Sequence, residues 1–106
     1  MDVIQQELVD QIFGELQRMG QCRTRDEFSS EWLGREKSYY RSLLSKGRTA
    51  SAEAQLNLAG RLRKLGMTFA RSDNDILREI GVAYLQMYAE LIDALLAMPR
   101  SDVQAA

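Results

Sequence analysis

The sequence contains no histidine, one cysteine and one proline, and each shortage argues against a class of function or structure. Without histidine the chain lacks the commonest general base and a principal zinc ligand. Cys22 has neither a histidine to activate it nor a second cysteine for an internal disulfide, so we expect a structural thiol. We therefore expect no enzyme, no metal and no cofactor.

Long hydrophobic runs are also missing. No stretch of about 18 or more apolar residues is present, which argues against a membrane span. The beginning of the sequence is acidic and amphipathic, unlike a secretory signal, and a lone cysteine fits a reducing compartment. We expect a cytoplasmic protein of one domain, because 106 residues can bury one modest core.

The net charge of −1 conceals an uneven distribution along the chain. Residues 35–71 hold nine Lys and Arg against two Glu, a net charge of +7, whereas residues 1–34 and residues 72–106 carry −4 each. A basic middle between two acidic flanks indicates that the middle has a partner of its own.

Apolar residues at helical spacing, with few breaking residues between them, predict an all-α fold of five helices. The expected helices cover residues 2–19, 24–33, 36–46, 51–65 and 72–98. Thr24 with Glu27 matches a capping box at the second start, and Gly66 is the expected end of the fourth helix. Four residues of the fourth helix are expected in the core: Leu56, Ala59, Leu62 and Leu65.

The last helix is the longest, and its apolar face is too broad for a lone surface helix. A helix of roughly 26 residues spans about 39 Å, which is longer than the core of so small a domain. We expect the excess apolar surface to meet a second copy of the chain, giving a homodimer. The interface residues would be Leu77, Ile80, Tyr84, Met87, Leu91 and Leu95. The chain then divides into a core at residues 1–71, this helix at 72–98, and a disordered tail at 99–106.

The most informative stretch is residues 32–48, WLGREKSYYRSLLSKGR, in which Gly34 separates two short helical patterns. In the second pattern the apolar face comprises Tyr40, Leu43 and Leu44, and the polar face comprises Lys37, Ser38, Arg41 and Ser45. Two short helices with a tight glycine turn, the second basic on one face, follow the plan of a helix-turn-helix. We expect Tyr40 in the core. We expect Trp32 to be a core anchor that packs on Phe28 and on the pair Tyr39 and Tyr40.

These residues resemble those of the lambda-repressor-like, Cro-type family of DNA-binding domains. The resemblance covers residues 24–66 and is carried by Leu33-Gly34, Ser38-Tyr39-Tyr40, Leu43 and Lys46-Gly47-Arg48, with Ser51, Leu56, Leu58, Ala59 and Leu62 in the following helix. The second helix has one residue more than is usual there, so either Ser29 or Ser30 would face the recognition helix. The chain also resembles a group of short bacterial proteins with the same WLGR and SYY pattern, which implies no activity.

The resemblance to the Cro-type family implies duplex DNA as the partner. Base contacts would come from Lys37, Ser38 and Arg41, because Arg reads guanine edges and Ser accommodates several bases. Phosphate contacts would come from Arg35, Lys46 and Arg48. The other basic residues, Arg61, Arg63 and Lys64, are explained by the dipole at the end of the fourth helix.

Two functions follow from these observations, and a small antitoxin-like regulator that binds both DNA and a partner would combine them. The first is a small dimeric transcription regulator that uses a helix-turn-helix at about residues 26–46. The alternative is a helical protein–protein interaction module, such as an antiactivator, an adaptor or an antitoxin-like partner, which binds another protein through the C-terminal helix without contacting DNA.

Overall fold

The computed structural model describes residues 2–97, with side chains from residue 5 onward. These residues form five α-helices and no strand, which confirms the predicted all-α class. The helices are α1 (Asp2–Arg18), α2 (Arg25–Glu27), α3 (Tyr39–Lys46), α4 (Ala52–Ala70) and α5 (Asp75–Leu96), and α2 continues directly into a π-helical turn, Phe28–Trp32. The predicted tail at residues 99–106 lies outside the described residues.

Side-chain caps begin three of the helices. The hydroxyl of Thr24 accepts from the N–H of Glu27, and the hydroxyl of Ser51 accepts from the N–H of Ala54. The Oδ1 atom of Asn74 accepts from the N–H groups of residues 76 and 77 in the first turn of α5. Each cap satisfies N–H groups that have no partner within the helix. The last helix therefore begins at Asp75 rather than at residue 72.

Gly66 does not end α4, contrary to the prediction. A Cβ atom there would lie 2.9 Å from the side chain of Leu85, and one at Gly81 would lie 2.4 Å from the backbone nitrogen of Ala70. The two glycines therefore let α4 and α5 pack with their backbones close together, and α4 continues to residue 70. Leu56 was also predicted wrongly, because 56% of its surface is exposed.

An aromatic cluster joins the first helices into a core. Phe13, Phe28 and Tyr40 lie with ring centroids 4.9 to 5.1 Å apart, linking α1, the π-helical turn and α3. Trp32 is buried as predicted, but its ring packs edge-on against Tyr84 of α5 at 5.7 Å rather than on Phe28. The burial of Tyr40 confirms its predicted place in the core.

The predicted interface residues of α5 are divided between the core and the surface. We call this set the apolar seam: Leu77, Ile80, Tyr84, Met87, Leu91 and Leu95. Tyr84 and Leu91 are fully buried and Met87 is 7% exposed, all within the core of the same chain. Their assignment to a dimer interface is therefore corrected, because Tyr84 and Leu91 have no surface and Met87 has almost none for a second copy to contact. Toward the start of α5 the seam leaves this core, and Leu77 is 39% exposed. Ile80 and Leu95 are half-buried.

The molecule is elongated, with a longest extent of 49 Å. The C-terminal half of α4 and the N-terminal half of α5 pack on each other as an antiparallel hairpin. Two large apolar side chains at the start of α5, Ile76 and Leu77, are exposed on this hairpin. Among the described helices, none combines the length and apolarity that a membrane crossing requires.

Candidate nucleic-acid interface

The second helix contains a π-helical turn at Phe28–Trp32, closed by the N–H of Leu33 donating to the carbonyl of Phe28 at 3.0 Å. A π-helical turn holds one more residue than the corresponding α-helical turn. The turn thereby absorbs the additional residue noted in the sequence and leaves Trp32 and Leu33 in the core.

Gly34 makes the turn that follows. Its φ of +65° is a conformation that glycine adopts without steric cost. The N–H of Arg35 donates back to the carbonyl of Ser29 at 2.9 Å, and Asn57 of α4 donates from Nδ2 to the carbonyl of Leu33 at 3.0 Å. The turn is thus held both by the helix before it and by α4.

The next helix begins later than predicted. Residues 36–38 form a turn closed by the N–H of Tyr39 donating to the carbonyl of Glu36 at 3.0 Å, and α3 starts at Tyr39. Lys37 and Ser38 therefore lie immediately before the helix rather than within it. The side chain of Ser38 does not cap α3.

Ser29 supplies the missing cap from the preceding helix. Its hydroxyl accepts from the N–H of Tyr40 at 2.9 Å and donates to the carbonyl of Arg25 at 2.9 Å. Ser29 is fully buried, whereas the hydroxyl of Ser30 donates within its own helix to Asp26. Of the two serines considered from the sequence, Ser29 is the one that faces α3.

The predicted base-contact residues lie together at the exposed edge of α3. Lys37, Ser38 and Arg41 are all exposed, while Tyr40 and Leu43 hold the opposite side in the core. The Nε atom of Arg41 donates to Oδ1 of Asp26 at 2.7 Å, so this guanidinium is already paired with a carboxylate.

The predicted phosphate-contact residues flank this edge. Arg35 pairs with Glu53 at 3.2 Å, and its guanidinium carbon lies 5.1 Å from the centre of the Tyr39 ring. Lys46 and Arg48 are exposed at the other end of α3. In the part of the chain that the structure describes, neither takes part in an ion pair.

The loop between α3 and α4 is fastened at two points. The hydroxyl of Tyr39 accepts from the N–H of Ser51 at 2.9 Å, and the side-chain oxygen of Gln6 accepts from the N–H of Ala50 at 2.9 Å. Tyr39 therefore lies along the protein surface. These bonds fix the loop that carries Arg48 relative to α1 and α3.

Arg61 was explained by a helix end, and the structure corrects this because α4 continues to Ala70. Its guanidinium lies 4.7 Å from the centre of the Trp32 ring, and Nη2 lies 4.0 Å from Oε1 of Glu31. These residues and Lys37 line an open cleft of about 420 Å³. The charged side chains around the cleft are three acids and three bases: Asp26, Glu27, Glu31, Arg23, Lys37 and Arg61. Such a balance does not favour a small anion.

The chain matches the model of DUF6626, a family of unknown function, over residues 9–104. The chain belongs to this family. The match takes in the later part of α1 and all of α2 to α5. No curated protein and no solved structure matches the chain.

Cys22 is buried, and burial raises the pKa of its thiol to about 11. The thiol is therefore protonated near neutral pH, which makes it a poor nucleophile. Among the described side chains, residues 5–97, no cluster of three or more acidic, cysteine or histidine side chains is arranged to hold a metal.

Sequence reasoning did not find Asp26 and Glu53, the ion-pair partners of Arg41 and Arg35. Arg41 follows Asp26 by fifteen positions in the sequence. No local spacing rule joins residues so far apart. Folding of α2 against α3 is what brings them together.

Proposed function

We propose that this protein is a small dimeric DNA-binding regulator of transcription, and that α3 with the turn before it enters the major groove. The observation that carries the proposal is an exposed edge formed by Lys37 and Ser38 in the turn before α3 and by Arg41 in α3. The other side of α3 is held in the core. The N–H of Tyr40 bonded to Ser29 fixes this edge on the preceding helix.

The charge distribution supports the same proposal. Lys46 and Arg48 extend the basic surface beyond α3, and Arg35 extends it before α3. The ion pair between Arg35 and Glu53 is exposed, and such pairs contribute only about 0–1 kcal/mol. A DNA phosphate can therefore replace Glu53 at little cost.

Dimerisation is part of the proposal, because one short recognition helix gives limited affinity. The surface proposed for it is the exposed continuation of the α5 seam at Leu77, with Ile76 beside it and Ile80 half-buried. Two copies would present their α3 helices to half-sites about 34 Å apart, one turn of DNA.

The direct test is a fluorescence anisotropy titration of the protein against random-sequence duplex DNA between about 50 and about 200 mM salt. Three phosphate contacts per subunit predict a slope of about −3 per subunit in a plot of log affinity against log salt. Absence of binding at the lowest salt concentration, or affinity independent of salt, would refute DNA binding.

A matched pair of double variants tests where the DNA lies. Replacing Lys37 and Arg41 by Ala should weaken binding by about 1–3 kcal/mol per lost base contact. Replacing Arg63 and Lys64 by Ala removes the same charge from exposed positions on α4 and should have a smaller effect. Equal losses in both double variants would show that the contact is not at α3.

The exposed apolar residues of the hairpin favour the second candidate, a protein–protein interaction module. Binding to another protein would depend on Ile76 and Leu77, and it would tolerate neutral residues at positions 37 and 41. A chain that keeps its activity in cells with both of those basic residues replaced would belong to this class.

A further inference from the structure

The carboxylate of Asp26 lies along one side of the Arg41 guanidinium. Nε donates to Oδ1 at 2.7 Å, and Nη2 lies 3.5 Å from Oδ2. Asp26 is fixed in turn by its place in α2, which the Thr24 cap begins. The guanidinium is therefore held from the side, by a residue on a different helix.

This pairing leaves the outer end of the guanidinium free. Nη1 of Arg41 has no hydrogen-bond partner among residues 2–97, and 55% of the side chain is exposed. A guanidinium has five N–H donors in a rigid plane, so a carboxylate at the Nε side leaves both terminal nitrogens with an outward N–H. Two parallel N–H donors at that end match the O6 and N7 acceptors of guanine.

Arg35 differs from Arg41 in which part of its guanidinium contacts the carboxylate. Its contact with Glu53 is through Nη1, at the outer end of the guanidinium, and its plane lies near the Tyr39 ring. The end that would face a base is thus the end that Glu53 already occupies. This geometry suits a cation that exchanges its carboxylate for a phosphate.

We propose that Arg41 recognises one guanine in the major groove through its two terminal nitrogens, and that Asp26 is the positioning residue that holds it for this contact. The inference rests on the proposed DNA-binding function and adds to it a base and a specificity device. A free arginine loses side-chain freedom when it binds, and an arginine already held by a carboxylate loses less.

The experiment is selection of binding sites from random duplex DNA, followed by competition titrations in which each base pair of the selected site is replaced in turn. The wild-type chain should prefer guanine at one position of each half-site by roughly 5- to 150-fold, the range for a bidentate arginine contact. Arg41→Ala should abolish that preference and leave the other positions unchanged.

Asp26→Asn is the decisive variant, and Glu53→Gln is its matched control. Each removes one negative charge and the carboxylate partner of one interface arginine. Asp26→Asn should reduce the guanine preference by about 2- to 10-fold at the position that Arg41 reads, because the arginine must now be ordered on binding. Glu53→Gln should strengthen binding to all sites equally and leave the preference intact. Unchanged circular dichroism spectra and unfolding midpoints will establish that both variants fold.

The outcomes separate the two proposals. If Asp26→Asn and Glu53→Gln both leave the guanine preference intact, Asp26 does not position Arg41 and the inference fails while DNA binding stands. The inference also fails, and DNA binding again stands, if the wild-type chain binds duplexes without a guanine preference that depends on Arg41. A wild-type chain that binds no duplex at low salt overturns DNA binding, and guanine recognition with it.

Discussion

Ser29 caps a helix to which it does not belong, because its hydroxyl accepts a hydrogen bond from the N–H of Tyr40 in the first turn of α3. Eleven positions separate the two residues. Ser38, directly before α3, makes no side-chain cap. The start of α3 therefore depends on the packing of two helices against each other, and the placement of the candidate DNA-binding edge depends on it too.

Ser29→Ala should destabilise the protein by about 1–3 kcal/mol, because the N–H of Tyr40 would be left buried without a partner. Urea unfolding at neutral pH measures the loss. Ser30→Ala is the matched control: the Ser30 hydroxyl bonds only within its own helix, so the change should be small. Equal effects from both substitutions would show that the contact with α3 contributes nothing.

Gly81→Ala should destabilise the protein by about 1–3 kcal/mol or more, because the added methyl group would meet the backbone of α4 rather than a movable side chain. Gly60→Ala should instead stabilise it by about 0.5–1 kcal/mol, since a Cβ atom there meets nothing within 4 Å and alanine favours helix. Thermal unfolding of the two variants gives the comparison. A stabilised Gly81→Ala variant would contradict the close packing of α4 and α5.

The two glycines of this contact show where sequence reasoning reached its limit. The spacing of apolar residues predicted the helices, and the capping residue Thr24 predicted the start of α2, because both signals are local. In the local sequence, a glycine that ends a helix looks the same as a glycine that lets a neighbouring helix pack closely, and Gly66 is of the second kind. Only the proximity of Gly81, fifteen positions later, distinguishes the two cases, and that proximity is a property of the folded chain.

Within the seam of α5, Tyr84, Met87 and Leu91 were misassigned for a related reason. Its repeat identifies the residues that are buried, but it does not say what buries them. Tyr84 is covered by Trp32 and Phe69 of the same chain.

The pairing of Arg41 with Asp26 likewise had no sequence signature, since neither residue type nor spacing distinguishes a paired arginine from a solvated one. The edge of α3 could be predicted, and the carboxylate that holds it could not.

The protein should lose stability as the pH rises from about 9 to about 12. Burial raises the pKa of Cys22 to about 11 and that of Tyr84 to about 12, and burial with a hydrogen bond to Asp10 raises the pKa of Tyr40. In this interval the unfolded chain has lost protons that the folded chain still holds, so unfolding is favoured as pH rises. Below about pH 9 the contribution is fully present.

Urea unfolding at a series of pH values, with a reductant present, measures this dependence. Tyr84→Phe removes one of the groups and also its hydrogen bond to Gln21, so it should lower stability at neutral pH by about 1 kcal/mol. It should also make the alkaline decline shallower than in the wild-type chain. An equally steep decline in this variant would show that Tyr84 does not titrate with unfolding.

Tyr84 and Leu77 occupy the same seam of α5 but should respond differently to substitution. Tyr84→Ala should cost about 3–5 kcal/mol in the free energy of unfolding, because the side chain is fully buried in the chain's own core. Leu77→Gln should change the stability of the isolated chain little, since 39% of that residue is exposed. If the exposed seam joins two copies, Leu77→Gln should instead shift a dimer toward monomer in sedimentation equilibrium.

Val82→Gln is the control for the dimer test, because Val82 is 47% exposed on the same helix and lies about 140° around it from Leu77. A dimer that Val82→Gln weakens and Leu77→Gln does not would place the interface on the opposite side of α5. A wild-type chain that is monomeric over the whole concentration range would refute the dimer.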